Sequence, residues 1–434
     1  MSQHIAALLV SLSAFSIGTC LSWTGVIRFA WEPTDAVIAV GQIAHVGAVI
    51  GALGIGPFCQ RIGPRRILQL VAFPLFGSWL IVAFCATTYG LYLGRFLAGL
   101  NLGAVCVAAP TYVAELCEAK YRGSLLSSFF VQLVLGKLFG LILGASIEDP
   151  KLLALAFAIV PVACLICVSF VPESPLHLTS EGELEDAKIS LQWLRDPSKD
   201  VDGELLDVAD SLTVEPQVKI ALKKLSIVLG LVLIQALCGA PLVFLKLATS
   251  ISMLLDVRSS FLYIVITYVN QAAASLVCVQ LIDRCGRRIL LVLSTLLTYS
   301  SLMALGLFVC LDEPMSIPNL VFPITTCLFA IGFSIGLGPI LWVFAGELFG
   351  ARTKSWTVPI VVATYWSLDL LALKSETHFN QLFLEGDPMG VLVSALLCFF
   401  SIVFIYFCVP ETNGKSIKEI DDLFIKDKIQ QDAA

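Results

Sequence analysis

The side chains best placed to do chemistry in this sequence are charges set inside long apolar runs. Arg95 lies in "YLGRFLAGLNLGAVCVAAPTYVAEL", Tyr92 to Leu116, a stretch long and apolar enough to cross a bilayer. A charge at membrane depth costs about 3 kcal/mol on the most lenient scale, so it has a partner or a task. Asp369 sits about fourteen residues, or ~21 Å, from the inner end of its own run. Lys137, Lys246 and Lys374 lie at comparable depth. With four bases to one acid, Asp369 is expected to be the counter-ion of one of these bases, because an unpaired carboxylate there would tend to protonate. The first run, "HIAALLVSLSAFSIGTCLSWTG", contains no acid. Arg95 lies about seven residues, or ~10 Å, from the outer end of its own run, close enough to snorkel or to bond backbone carbonyls.

Other chemistries find no support. Walker A, HExxH, GxSxG and zinc-ligand spacings are absent, and "GLNLG" is a membrane glycine run rather than a nucleotide loop. The fourteen cysteines show no CxxC spacing and read as small buried hydrophobes. The expectation is a protein that is not an enzyme and has no cofactor, metal or nucleic-acid partner. A chain with no nucleotide site draws its work from a solute gradient or a coupled ion.

The elements that hold these charges follow from composition. Of 434 residues 58% are hydrophobic and 14% charged, with a mean hydropathy of +0.90. Soluble domains are nearer a quarter charged, so this is a polytopic membrane protein whose solvent is the lipid bilayer. Windows of about 20 apolar residues, the length that spans the hydrocarbon core, occur about twelve times. About 20 of the 27 basic residues fall in loops on one side, together with both termini, which predicts that side to be cytoplasmic. The first run lacks a basic leader and a cleavage site, so it is expected to be a retained helix.

Three landmarks occur twice in one order. "RIGPRRIL" (Arg61 to Leu68) returns as "RCGRRILL" (Arg284 to Leu291), and "AELCEAKYRGS" (Ala114 to Ser124) as "AGELFGARTKS" (Ala345 to Ser355). "VPESP" (Val171 to Pro175) returns as "VPETNG" (Val409 to Gly414). Ordered recurrence predicts an all-α membrane protein of twelve transmembrane helices in two six-helix halves of the same orientation. The expected domains are residues 1–171 and 219–409 for the halves, 172–218 for a cytoplasmic linker and 410–434 for a cytoplasmic tail. In the linker, "SEGELEDAKISLQWLR" predicts one helix with Ser180 as its N-cap and Arg195 near its end. Gly47, Gly51, Gly99 and Gly103 are spaced to let helices approach closely.

Together these motifs resemble the sugar porter family of the major facilitator superfamily over nearly the whole chain. Gly94, Arg95, Gly99, Gly103, Pro110, Tyr112, Glu115, Arg122 and Gly123 fall in register with the family's long signature. "DRCGRR" (Asp283 to Arg288), "GLGPILW" with "GELF", "PESP" and "PETNG" are further matches. "LSWTG" and Lys374 are similar to the insect trehalose-transporter-like branch. The resemblance implies the major facilitator fold. It also implies that Glu115, Arg122, Asp283, Arg284, Glu347 and Arg352, at inner helix ends, lock the outward-open state from the cytoplasmic side. Arg95 becomes a structural residue near the outer gate, because the acid that faces it in proton-coupled members is missing.

For the solute, the resemblance places Gln132, Gln235, Asn270 and Trp342 at contact positions. Amides bond the hydroxyls of a sugar and an aromatic face covers its C–H surface. The chain departs from the family pattern at several places. Ala236, Pro241, Leu245 and Lys246 replace a Gln, an Asn and two Tyr in span seven, and Tyr365 replaces an Asn before Trp366. Gln60 stands for an Asp, Leu176 and His177 for Arg-Trp, and Asn413 for a Lys. The reading is an alternating-access carrier of a small neutral solute, a hexose or trehalose, working by facilitated diffusion in the plasma membrane without an obligate protein partner. The alternatives are a proton-coupled symporter of the same fold and a non-transporting nutrient sensor. A sensor is expected to need a longer cytoplasmic tail than the roughly 24 residues after Pro410.

Overall fold

A computed structural model describes residues 3–30, 35–85, 87–213, 217–238, 257–310, 318–374 and 389–432. Among the described residues there are helices and no strands, and twelve segments are long and apolar enough to cross a membrane. The first half comprises α1 (Gln3–Ala30), α2 (Asp35–Ile62), α3 (Pro64–Phe84), α4 (Thr88–Leu116), α5 (Arg122–Ser146) and α6 (Pro150–Ser169). Three short helices follow, α7 (Pro175–Glu181), α8 (Leu184–Leu194) and α9 (Val201–Thr213). The second half holds α10 (Val218–Leu237), α11 (Val257–Cys285), α12 (Arg287–Cys310), α13 (Pro318–Ile335), α14 (Leu337–Glu347), α15 (Lys354–Lys374) and α16 (Met389–Cys408). The chain then enters α17 (Ile417–Asp432). The basic end of the bundle, where α7–α9 dock, is termed inner and the opposite end outer.

Local chemistry sets the helix ends. Thr87 caps α4 by accepting from the Gly90 amide, and Asp149 caps α6 by accepting from Lys151. Pro64 and Pro150 occupy first-turn positions, where no intrahelical donor is needed. The linker differs from the single helix expected. Gly182, with φ +84, ends α7 in a left-handed turn and separates it from α8. Ser180 lies inside α7 and donates to the His177 carbonyl, so it is not a cap. Arg195 does end α8.

Packing distinguishes central from peripheral spans. Most of α4 is buried, whereas α16 turns Phe399, Phe400, Val403 and Phe407 outward toward lipid. The expected glycine seam joins α2 to α4. A Cβ on Gly103 would fall 2.0 Å from the Ala48 carbonyl oxygen, and one on Gly51 2.1 Å from that of Leu100. Backbones that close leave no room for a methyl group. The halves meet along two lateral seams, α2 against α15 and α5 against α11.

The tenth span is broken at Gly336 between α13 and α14. Its freed backbone groups are taken up by neighbours, the condition for irregular backbone at membrane depth. Ser294 Oγ donates to the Gly332 carbonyl at 2.6 Å and accepts from the Leu337 amide at 2.8 Å. Gln235 Nε2 donates to the Leu337 carbonyl.

Arg95 is 1% exposed, donates to the Cys20 carbonyl at 3.1 Å and stacks 4.8 Å over Trp23. The carbonyl bond was one of the two expected outcomes; snorkelling was the other, and burial excludes it. All fourteen cysteines are free thiols.

Candidate functional site

At the inner end, each half builds a cluster around the acid that closes its fourth span. In the second half this acid is Glu347, 2% exposed. Arg287, fully buried, donates Nη2 to Glu347 Oε1 at 2.8 Å and reaches Asp283 at 3.0 Å. Arg287 Nη1 also donates to Asn413 at 2.6 Å, and Thr412 donates to Glu347 at 2.9 Å. Glu411 accepts from the amides of Arg287 and Arg288 at the start of α12, where an acid complements the helix dipole.

In the first half the acid is Glu115. Ser174 donates to it at 2.5 Å, while Glu173 accepts from the Arg65 amide at the start of α3. Its cation comes from the other half, as Lys354 Nζ approaches to 3.9 Å. A second tie crosses the same boundary, the Ser124 amide donating to Asp283 Oδ2 at 2.8 Å. Arg122 on α5 lies near enough to Glu347 for the two to interact electrostatically. Behind these clusters, Arg195 clamps Glu204 with Nε and Nη2 and donates to the Leu116 carbonyl, pinning α8 and α9 to the end of α4. Cys117 beside it is buried, which pushes its thiol up to about 12.

Two gate residues expected from sequence stand apart. Arg284 and Arg352 are exposed, and neither side chain forms an ion pair among the described residues. Arg287 and Lys354 occupy the cluster instead. Both lie within the same motifs, "DRCGRR" and "ARTKS", so the motif was informative and the individual position was not. Glu115, Arg122, Asp283 and Glu347 do gather at this end.

Deeper in the bundle, Gln132 on α5 and Asn270 on α11 are half-buried and make no side-chain hydrogen bond among the described residues. They flank the α5–α11 seam with their amides uncommitted. Trp342 on α14 is buried, 5.0 Å from the Phe129 ring and 5.5 Å from that of Tyr365. Gln235 is committed to the break in span ten, as described above. Ala236 is half-buried, and Pro241, Leu245 and Lys246 lie outside the described residues.

Asp369 has a different partner from the four bases expected, Arg95, Lys137, Lys246 and Lys374. Its Oδ2 is 2.9 Å from His45 Nε2, across the α2–α15 seam. Lys137 acts on the same carboxylate electrostatically but is not its bonded partner. His45 carries no signal in the sequence: 324 residues separate it from Asp369, and a single His in an apolar run has no pattern. Tyr365 and Trp366 continue the aromatic wall to His45, whose ring lies 5.3 Å from Trp366.

Comparison with known proteins agrees with this architecture. Residues 15–424 match the family model described as sugar (and other) transporter. The chain is 30% identical over 448 residues to the facilitated trehalose transporter Tret1 of Drosophila virilis, covering 97% of this chain and 48% of that protein. It is 30% identical over 446 residues to the facilitated trehalose transporter Tret1-2 homolog of Drosophila simulans, covering 97% and 90%. The chain thus spans about half the length of several of the curated relatives it matches. In fold it is similar to the proton:xylose symporter XylE bound to 6-bromo-6-deoxy-D-glucose, at a TM-score of 0.84 with 19% identity and 97% of both chains covered. The inward open conformation of the xylose transporter XylE from E. coli superposes at 0.71, again with 19% identity, over 97% of this chain and 98% of that one.

Proposed function

The chain belongs to the sugar (and other) transporter family, and on that premise we propose that it carries a small neutral sugar, a hexose or trehalose, by facilitated diffusion with alternating access. The observation that supports this reading most directly is the stacking of two features along one axis. The halves are tied at the inner end by Glu115–Lys354 and Ser124–Asp283. Above those ties lie the uncommitted amides of Gln132 and Asn270 and the buried Trp342 ring. Amides without protein partners are the groups a hydroxyl-rich solute needs, and a gate that two ion-pair partners open can be biased by a few kcal/mol.

In this reading the halves are residues 1–171 and 219–409, the inner end faces the cytoplasm, and the membrane is the plasma membrane. Gln132, Asn270 and Trp342 contact solute. Gln235 contributes by holding span ten in its broken form. The trehalose named for the Drosophila relatives is the first solute to test.

The test is uptake of labelled trehalose and hexoses into proteoliposomes. The expected result is entry that equilibrates the solute without accumulating it, at a steady-state level unaffected by collapse of a proton gradient. Uphill accumulation driven by an imposed pH gradient and abolished in Asp369→Asn would overturn the facilitator reading.

A further inference from the structure

The contact between His45 and Asp369 requires a proton that neither group holds in its ordinary form. His45 Nδ1 lies 2.8 Å from the Gly41 carbonyl oxygen. A carbonyl only accepts, so Nδ1 carries its hydrogen. In a neutral ring with that tautomer, Nε2 presents a lone pair. Asp369 Oδ2, 2.9 Å away, presents lone pairs too when the carboxyl is ionised. Two acceptors do not hydrogen-bond. The contact therefore holds one further proton, either as imidazolium against carboxylate or as neutral imidazole against carboxylic acid. Both forms share the same heavy-atom positions.

We infer that His45 and Asp369 form a one-proton binding site that ties the two halves together in the outer part of the membrane, and that losing the proton releases the tie. His45 belongs to α2 and Asp369 to α15, each about 20–25 Å from the inner end of its helix at 1.5 Å per residue. At the inner end the same two helices pack backbone to backbone, with no side-chain hydrogen bond between them among the described residues; a Cβ on Gly56 would fall 2.2 Å from the Ser355 carbonyl oxygen. The seam is thus held at two levels, one insensitive to pH and one that exists only when protonated. A rocking motion parts one level while the other stays closed.

The surrounding ionisable groups are consistent with a pair that titrates as a unit. Lys137 on α5 acts on Asp369 and offers the carboxylate another positive partner once the proton has left. Tyr365 stands one turn before Asp369 on α15, and Cys106 on α4 lies beside Trp366. The ionisable side chains of α10 and α14 sit at their inner ends, and Arg95 on α4 faces α1. Because the bound proton stabilises the tied arrangement, the tie is complete at low pH and is lost as pH rises through the titration of the pair. The proton is taken up and released without being carried, so the rate of transport changes with pH and the final level does not.

The effect on rate rests on the alternating-access reading; the proton site itself is read without any solute. The Trp366 ring beside His45 reports it, since an imidazolium quenches indole fluorescence more than an imidazole does. In purified protein without solute, the wild-type emission should change across a scan of buffer pH as the pair gains and loses its proton. His45→Gln should lose that titration, and Asp369→Asn, which keeps the imidazole but removes the carboxylate that shares its proton, should displace it. In Asp369→Asn the amide donates to Nε2 of a neutral ring or, turned over, accepts from Nε2–H of a protonated one, so the tie persists with or without the proton. Sugar exchange in proteoliposomes should then change about fivefold over the same pH range in wild type and stay nearly flat in Asp369→Asn. If both variants titrate as wild type does, there is no one-proton site. If wild-type emission titrates while exchange is flat with pH, the proton does not govern the tie. Absence of exchange for every sugar tried counts against the proposed function and leaves the fluorescence result to decide the site.

Discussion

The two inner clusters are built from the same repeated motifs and have come to do different things. Around Glu347 the cation, Arg287, comes from the acid's own half, with Asp283 and Asn413 completing its partners. Around Glu115 the corresponding positions are Gln60 and Pro64, which bring neither an acid nor a guanidinium. A cavity of about 70 Å³ opens there, lined by Gln60, Pro64, Glu115, His177 and Lys354. The first half therefore leaves space where the second has a buried side chain, and Glu115 takes its cation from across the boundary. The lesson is one of partition. The second cluster draws its bonded cation from its own half, with Asp283 and Glu347 also meeting Ser124 and Arg122 across the boundary, while the first draws its cation from the other half.

The largest expected effect follows from that difference. Arg287→Ala would leave Glu347 buried without its bonded cation, a change that costs about 3–5 kcal/mol. Thermal unfolding in detergent should show a large loss of stability, far beyond that of Lys354→Met. Equal melting temperatures for the two variants would erase the distinction between the clusters.

Lys354→Met should act on conformation instead. Removing a tie between halves worth ~1–2 kcal/mol shifts a two-state balance about five- to thirtyfold toward the state with the inner end open. Cys59 lines the inner cavity and is a native reporter. Its alkylation, followed on the Cys59 peptide by mass spectrometry, should rise in Lys354→Met and in Arg122→Gln, and stay at the wild-type level in Arg352→Met. A rise in Arg352→Met equal to that in Lys354→Met would return the gate to the residue first expected from the motif.

The deeper amides divide by the same logic. Gln132→Ala and Asn270→Ala should each weaken solute affinity by about five- to tenfold, the worth of one hydrogen bond to a hydroxyl, with little change in melting temperature. Gln235→Ala should lower the melting temperature first, because it frees a carbonyl of the broken span. Unchanged affinity in both of the first two variants would remove them from the solute site.

How much of this was legible in the sequence depended on whether a residue carries its meaning locally. Twelve spans, the two halves and the glycine seam follow from composition, repeats and four-residue spacing, all of which are short-range. The gate motifs were legible as motifs. Arg287 over Arg284, and Lys354 over Arg352, were not, because which of two nearby bases turns inward depends on helix starts that shift by a residue or two. Gln235 looked like Gln132 and Asn270 in sequence; only the break at Gly336 separates its role from theirs. The His45–Asp369 contact joins residues 324 apart, one of them a lone His, and no pattern of spacing announces such a pair.

The smallest expected effect is the most direct test of why the clusters diverged. Pro64→Arg would give the first half the guanidinium it lacks, at the position where the second half has Arg287. Pro64 opens α3 as a buried first-turn residue beside the cavity; its missing N–H needs no intrahelical partner there, so a residue with an N–H can take the position and the helix start should survive. The cavity beside Pro64 is lined by Glu115, so a guanidinium entering it meets that acid. It would compete with Lys354 for Glu115, moving the cation of the first cluster from the other half into its own. The tie between halves should weaken by less than ~1 kcal/mol, and Cys59 alkylation should rise about two- to threefold. In a Glu115→Gln background the added guanidinium has no acid to capture, and alkylation should match that of Glu115→Gln alone. If Pro64→Arg instead slows alkylation, its guanidinium has reached across to the second half, and the first cluster ties the halves by geometry rather than for want of a cation of its own.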